Sequence, residues 1–258
     1  MADATASAKA EFRSGLATLV GKPNVGKSTL LNALVGSKVA ITSSLPQTTR
    51  RRILGVVHRP GYQVVLVDTP GITVPRHELG RRMAQIARTE SQDADVVLFL
   101  ADLTHPPRDE DRAAAERLRR LRAPVLLVGT KVDLVQDPET RRRHLGEYAG
   151  LGTFAEVLEV SAVSGQNLEE LLRAVADRFP EGPPYYPEDQ VSDQNQRLFI
   201  EEVIREKVLS TTRQEVPHAV AVQVEEMRPG KAPDTLYVAA NLYVERDGQK
   251  AILIGKGG

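Results

Sequence analysis

The first 180 residues of this chain alternate short apolar runs with amphipathic segments. The apolar runs have the length of buried parallel strands, and they cover residues 16–20, 96–100, 125–128 and 157–160. Segments with apolar residues at helical spacing lie between and after them, at 28–35, 83–87, 108–121, 138–149 and 165–179. This alternation predicts an α/β domain with a mixed, mostly parallel sheet and helices on both faces.

The pattern changes in two places. Residues 52–58 and 62–67 flank Pro60-Gly61, which predicts an antiparallel hairpin. The helical pattern ends in a proline-dense stretch at 180–187, and an amphipathic helix at 196–209 and two alternating strands at 216–225 and 236–245 follow. We therefore expect a disordered tail at 1–14, one domain at 15–180, a linker at 181–192 and a partial α+β domain at 193–258.

Composition narrows the class of protein. The chain has 258 residues, 41% of them apolar, with a formal net charge of zero and no cysteine. Overall charge thus predicts attraction neither to nucleic acid nor to membranes, and disulfides and thiolate metal sites are excluded. Because the apolar runs are too short to span a bilayer and the N-terminus lacks the apolar centre of a signal peptide, we expect a cytoplasmic protein.

A phosphate-binding loop follows the first apolar run. The pattern G-x-x-x-x-G-K-S/T is formed by Gly21, Lys22, Pro23, Asn24, Val25, Gly26, Lys27, Ser28 and Thr29. Gly21 and Gly26 let the backbone approach a phosphate closely, so that successive N–H groups form an anion-binding nest. Lys27 supplies a positive charge for the β- and γ-phosphates, and Ser28 offers a hydroxyl to Mg²⁺.

Further candidate residues stand at the ends of later strands. Asp68-Thr69-Pro70-Gly71 ends the hairpin, where Asp68 is a candidate to hold Mg²⁺ directly or through water and the Gly71 N–H to meet a terminal phosphate. Thr130-Lys131-Val132-Asp133 ends another strand; its Asp can accept hydrogen bonds from guanine, and its Lys stem can lie along the base. Ser161-Ala162 ends the last strand of the alternation.

The order of these motifs resembles GTPases of the translation-factor-related class over roughly residues 15–180. The resemblance implies a P-loop GTPase domain that binds GTP or GDP with Mg²⁺ and hydrolyses GTP, with Ser161 and Ala162 in the nucleotide site. Thr130 stands where this class more often has Asn, so one hydrogen bond that braces the loop differs. Lys131 and Asp133 match the class, and we expect guanine preference to survive.

The polar segment at 36–52 is the expected switch loop. By resemblance one of its threonines holds Mg²⁺ together with Ser28, either Thr48 or Thr49, and Thr49 is favoured because it directly precedes Arg50. Ile72 stands after the Asp-x-x-Gly motif, where Ras-like proteins carry a water-orienting glutamine. We therefore expect slow intrinsic hydrolysis assisted by other groups, and Asn24 resembles the asparagine that ligates K⁺ in related GTPases.

Three stretches resemble the Era family, which joins the GTPase domain to a KH-type RNA-binding domain. They are Pro46-Gln47-Thr48-Thr49-Arg50, residues 205–218, and Ile254-Gly255-Lys256-Gly257-Gly258. The resemblance implies that the final G-x-x-G binds RNA backbone. It also implies small-subunit ribosomal RNA and the 30S subunit as partners, a monomer, and optional peripheral attachment at the inner face of the cell membrane. Since the chain stops at Gly258, we expect weak RNA affinity.

Two other functions are open at this stage. The chain could be an RNA chaperone or scaffold in which hydrolysis is incidental, or an ATP-using P-loop enzyme, although Thr130-Lys131-Val132-Asp133 argues against ATP. The arginine runs at 117–122 and 141–143 are more typical of solvated helix faces than of RNA contacts.

Overall fold

The computed structural model describes residues 12–43, 45, 48–71, 78–212 and 219–255. The strands are β1 (Arg13–Val20), β2 (Ile53–Arg59), β3 (Tyr62–Asp68), β4 (Val96–Asp102), β5 (Val125–Thr130), β6 (Glu156–Glu159), β7 (Ala221–Pro229) and β8 (Leu236–Tyr243). The helices are α1 (Lys27–Val35), α2 (Glu78–Gln92), α3 (Asp109–Leu118), α4 (Pro138–Ala149), α5 (Leu168–Ala176), α6 (Gln196–Thr211) and α7 (Asp247–Ile254).

Six strands form one sheet in the order β2-β3-β1-β4-β5-β6. Only β2 runs antiparallel within it, paired with β3, and the other neighbours are parallel. The predicted fold class, a mixed, mostly parallel sheet with helices, is confirmed. Because parallel strands end at the same edge, the carboxyl ends of β1, β3, β4 and β5 gather there.

Both faces of this sheet are buried under helices. On one face, leucines of α1 and α5 such as Leu30, Leu31 and Leu171 pack against the strands and are shielded from solvent. On the other, α3 and α4 contribute Ala114 and Tyr148 to a cluster around Phe99. A sheet covered on both sides explains why its central strands are continuous apolar runs rather than alternating ones.

The N-terminal strand is longer than the sequence predicts. It begins at Arg13, so the predicted disordered tail at 1–14 is wrong for Arg13 and Ser14; residues 1–11 lie outside the described part of the chain. The Ser14 hydroxyl donates to Pro183 O (2.7 Å), and Gly182 N donates to Phe12 O (3.0 Å). These hydrogen bonds join β1 to the 181–192 segment. Because the bonded residues are far apart in the sequence, the local pattern could not predict them.

The 181–192 segment is an ordered strap along the edge of the sheet. The Gln63 side chain is fully buried and accepts from the N–H groups of Tyr185 (2.7 Å) and Tyr186 (3.1 Å). Further along, Val56 N donates to Val191 O (2.9 Å). The segment between the two predicted domains is therefore held to the first one by hydrogen bonds.

The C-terminal part contains α6, the antiparallel pair β7-β8 and α7. The helix-strand-strand order agrees with the sequence. β7 begins at Ala221, so residues 219–220 of the predicted strand precede it, and residues 216–218 lie outside the described part of the chain. α7 is not predicted. A side-chain cap stabilises the start of α7: the buried Gln249 side chain accepts from the N–H groups of Glu245 (3.1 Å) and Arg246 (3.0 Å). An eight-residue helix that opens with Asp247-Gly248 resembles a turn in sequence.

Within the described residues, no helix has the length and apolarity needed to cross a membrane.

Candidate functional site

The phosphate-binding loop joins β1 to α1 at the carboxyl edge of the sheet. A Cβ at Gly21 would lie 2.9 Å from Leu100 O, so only glycine fits there. Gly26 has φ 104°, a left-handed conformation that glycine adopts without strain, and it directly precedes α1. The loop N–H groups and the positive end of α1 therefore face the same space.

Lys27 is a buried cation in this loop, only 6% exposed. Its Nζ donates to Gly21 O (3.2 Å) and Lys22 O (3.0 Å). Burial lowers the pKa of Lys27 to about 8, and the nearby Asp68 carboxylate acts in the opposite direction. An anion beside Lys27 would stabilise its charged form.

Three oxygen-bearing side chains converge beside Lys27. The Ser28 hydroxyl donates to Asp68 Oδ2 (2.5 Å), the Thr49 hydroxyl lies 3.2 Å from the same oxygen, and the two hydroxyls are 3.0 Å apart. Burial raises the pKa of Asp68, whereas Lys27 and the two hydroxyls lower it. Oδ1 of Asp68 is buried, and no described group donates a hydrogen bond to it. This cluster of hard oxygen atoms fits the ligand preference of Mg²⁺.

The two switch threonines have different surroundings. Thr49 is buried in the oxygen cluster, whereas the Thr48 hydroxyl donates to Leu45 O (2.8 Å) and takes no part in it. The structure therefore brings together Ser28, Asp68 and Thr49, the favoured one of the two threonines.

Gly71 packs directly on the phosphate-binding loop. A Cβ at this position would lie 2.8 Å from Pro23 N, so the close approach requires glycine. A cavity of about 380 Å³ opens here, and it is lined by Pro23, Asn24, Gly26, Lys27, Ser28, Thr29, Ile41, Thr42, Ser43, Thr48, Thr49, Gly71 and Lys131. The candidate phosphate and metal residues thus surround one space.

A second cavity of about 260 Å³ adjoins the first. Four of its lining residues, Thr130, Lys131, Asp133 and Ala162, come from the segments that the sequence predicts around the base. The rest of the lining is Val25, Gly26, Thr29, Leu30, Leu134, Val160 and Val163. Gly26, Thr29 and Lys131 line both cavities. Ser161 is fully buried next to Asp133. Its hydroxyl donates to Asp133 Oδ1 (2.6 Å), and this bond orients the carboxylate.

Thr130 braces the phosphate-binding loop. Its hydroxyl lies 2.9 Å from Val25 O and 3.1 Å from Ala101 O, and it can donate to one of them at a time. At this position the Thr130 hydroxyl replaces the amide donor of the Asn expected in this class. The hydroxyl still bonds to the phosphate-binding loop at Val25 O.

Sequence reasoning missed Asp102, which ends β4. Its Oδ2 pairs with Lys131 Nζ (2.6 Å), and that Nζ also donates to Asn24 O (3.0 Å). Lys131 thereby connects the Thr130–Asp133 segment to the phosphate-binding loop, and Asp102 holds its ammonium group in place. Its position, a carboxylate at the carboxyl end of a buried strand, is the signal that could have identified it.

Sequence reasoning also missed two consecutive residues of α6 that contact the 36–52 loop. Arg205 Nη2 donates to Thr48 O (2.5 Å), and Glu206 accepts from Thr42 N (3.0 Å) and forms an ion pair with Lys38. Arg205 is 3% exposed, and no described group accepts a hydrogen bond from its Nη1. We call these contacts the α6 clamp.

Several predicted positions lie outside the described residues. They are Pro46, Gln47, Ile72, Lys256, Gly257 and Gly258. Asn24 is described, with φ 62° at the tip of the phosphate-binding loop, and Gly255 is exposed directly after α7. The positions of Asn24 and Gly255 are therefore known, and the expected K⁺ contact of Asn24 and RNA contact of Gly255 stay predictions.

Comparison with known proteins finds GTPases similar to this chain. A family described as 50S ribosome-binding GTPase matches residues 17–131. GTPase Era of Carboxydothermus hydrogenoformans is 42% identical over 249 residues, which cover 96% of this chain and 83% of that protein.

Two solved structures are similar over almost the whole chain. Era in complex with MgGDPNP and nucleotides 1506–1542 of 16S ribosomal RNA has a TM-score of 0.90 at 39% identity, covering 95% of this chain and 83% of that one. An Aquifex aeolicus Era variant bound to GDP and AlF₄⁻ has a TM-score of 0.88 at 38% identity, covering 96% and 84%. With this identity and coverage, the chain belongs to the Era family of GTPases.

Proposed function

We propose that this GTPase is a switch that binds small-subunit ribosomal RNA and assists assembly of the small ribosomal subunit. GTP hydrolysis is the activity of its family, and the Era complex with 16S ribosomal RNA nucleotides supports RNA as the partner. The observation that carries the switch is the α6 clamp, because it joins the loop beside the metal candidates to the C-terminal part. A scaffold in which hydrolysis is incidental would not need that connection.

The two adjoining cavities divide the nucleotide between them in this proposal. The phosphates occupy the larger one, where Lys27 and the loop N–H groups neutralise and orient them. The guanine base occupies the smaller one, where Asp133, held by Ser161, accepts from its N1 and amino groups while Lys131 covers its face. Asp102 holds Lys131 in that position.

Ser28 and Thr49 are the proposed protein ligands of Mg²⁺, and Asp68 holds the ion directly or through water. When bound, the ion neutralises charge on the β- and γ-phosphates. The unpartnered Oδ1 of Asp68 supports this assignment. Gly71 is proposed to present its N–H to the terminal phosphate from its place on the phosphate-binding loop.

The RNA contact is proposed at the carboxyl end of the described chain. Gly255 follows α7 with φ 73°, and with Lys256, Gly257 and Gly258 it forms the G-x-x-G that would bind nucleotide backbone. The proposal further places a monomer in the cytoplasm, acting on the 30S subunit. It allows peripheral attachment at the inner face of the cell membrane, and cell fractionation distinguishes the two locations.

Thr49→Ala should raise the Mg²⁺ concentration for half-maximal GTP hydrolysis by about 10–100-fold, because it removes one oxygen that bonds to a charged group. Thr48→Ala is the matched control and should stay close to wild type, since its hydroxyl bonds to Leu45 O. Magnesium titrations of steady-state hydrolysis measure both, and equal shifts in the two variants would contradict the assignment.

GTP affinity should fall above pH 8 by about tenfold per pH unit, because Lys27, with its pKa near 8, loses the charge that attracts phosphate. Below that pH the side chain is protonated and affinity should be constant. Titration with a fluorescent GTP analogue from about pH 7 to pH 9 measures it. Lys27→Arg stays charged and should give a flat profile, which separates this residue from ionisation of guanine itself. A flat wild-type profile would refute the prediction.

Replacing K⁺ with Na⁺ should slow GTP hydrolysis on the order of tenfold, because a cation held by Asn24 would stabilise charge that develops on the phosphates. Asn24→Gly keeps the backbone free to adopt φ 62° but removes the side-chain oxygen, so the variant should hydrolyse GTP equally slowly in both salts. If wild type turns over at one rate in K⁺ and Na⁺, the cation assignment is wrong.

Arg205→Gln should abolish the dependence of RNA affinity on the bound nucleotide while GTP affinity stays close to wild type. In wild type we expect the dissociation constant for RNA to differ about 5–150-fold between GTP-analogue and GDP states. Arg197→Gln is the control, since Arg197 lies on the same helix and donates to Val224 O within the C-terminal part. An unchanged ratio in Arg205→Gln would exclude the α6 clamp as the connection.

A further inference from the structure

An arginine-lined groove runs between α2 and α3, away from the nucleotide cavities. It encloses about 490 Å³, and its walls carry Arg81, Arg88, Arg117 and Arg120. Gln85 and Gln92 add amide donors on the α2 side. We call this feature the α2–α3 groove.

The groove concentrates positive charge on a chain whose net charge is zero. Among the described residues that line it, Glu116 is the only carboxylate, and that side chain is paired with Arg119 (3.0 Å), which does not line the groove. Arg88, Arg117 and Arg120 are exposed and form no ion pair with any carboxylate that the structure describes. These three guanidinium groups are therefore available to an anionic ligand.

The floor of the groove offers only a small apolar surface. Ala87 is 4% exposed and Leu118 is 6% exposed, while Ala84 and Leu121 are half-buried. The exposed side chains of the walls are mostly arginines. An amphipathic acidic helix needs an apolar seam as well as charge, whereas a phosphate chain needs only the cations.

The cations stand on both walls of the groove. Arg81 and Arg88 are seven residues apart on α2, which is about 10 Å along the helix. On the facing wall, Arg117 lies in the last turn of α3 and Arg120 follows that helix. A nucleic-acid strand carries a charge about every 3.4 Å of its helix axis. Arginine also presents a planar fork that binds phosphate oxygens in pairs.

We propose that the α2–α3 groove binds RNA backbone phosphates through Arg88, Arg117 and Arg120. The contact is additional to the G-x-x-G segment and carries no base specificity. This inference rests on the proposed function, because it takes RNA to be the partner.

The test is the salt dependence of RNA binding by Arg88→Gln/Arg117→Gln. With the RNA of 16S nucleotides 1506–1542 as probe, each lost phosphate contact lowers the slope of log affinity against log salt by about 0.7 on a single strand, so two give about 1.4. Fluorescence anisotropy between about 50 and 200 mM salt measures the slope. Arg88→Gln/Arg120→Gln, a second pair, should show the same loss.

The matched control is Arg112→Gln/Arg142→Gln, which removes two exposed arginines on α3 and α4 outside the groove. It should keep the wild-type slope, and all variants should keep the wild-type melting temperature. An equal loss in the control would make the effect one of net charge and overturn the proposal.

The remaining outcomes separate this inference from the function on which it rests. If wild type binds the RNA and the groove variants keep its slope, the groove proposal alone is wrong. If wild type does not bind the RNA, the proposed function fails as well. Labelled polyglutamate is a second probe: if the groove variants lose polyglutamate but keep their RNA slope, the groove binds an acidic protein segment and not RNA.

Discussion

Two opposite charges are buried side by side at the carboxyl edge of the sheet, and the nucleotide site depends on them. Lys27 and Asp68 both lose their hydration there, which lowers one pKa and raises the other. The surrounding structure compensates with loop carbonyls for the ammonium group and hydroxyls for one carboxylate oxygen. Asp68 Oδ1 has no described hydrogen-bond donor, which is why we propose the cation beside it, and the proposed phosphates lie beside Lys27.

The loop that contributes Thr49 to the candidate metal cluster is also contacted by the C-terminal part. Thr49 faces Ser28 and Asp68, while the carbonyl of the preceding residue, Thr48, accepts from Arg205. A shift of this loop by the length of one hydrogen bond therefore changes both the Thr49 contacts with Ser28 and Asp68 and the Thr48 contact with Arg205. This arrangement is a short physical path by which nucleotide state and RNA engagement can influence each other.

The two proposed RNA contacts differ in their location and in the part of the RNA that they can recognise. The G-x-x-G segment follows α7 in the C-terminal part, whereas the α2–α3 groove lies on the GTPase domain and faces outward with arginines. Contacts to phosphates position a protein without specifying sequence. A groove of this kind would orient the GTPase domain on folded RNA whose sequence is recognised elsewhere.

Local sequence predicted most of the helices and strands, although not α7, and it predicted the residue types of the candidate nucleotide site. The sheet follows from the apolar runs. The candidate phosphate, metal and guanine residues follow from the G-x-x-x-x-G-K-S/T loop, Asp68 and the Thr130 to Asp133 segment. Each of these signals depends on residues close together in the chain. Four features came only from the tertiary structure: the position of Thr49 beside Asp68, the Asp102–Lys131 ion pair, the strap held by Gln63, and the α6 clamp. Each joins groups at least 19 residues apart, and only packing of distant elements brings such groups into contact.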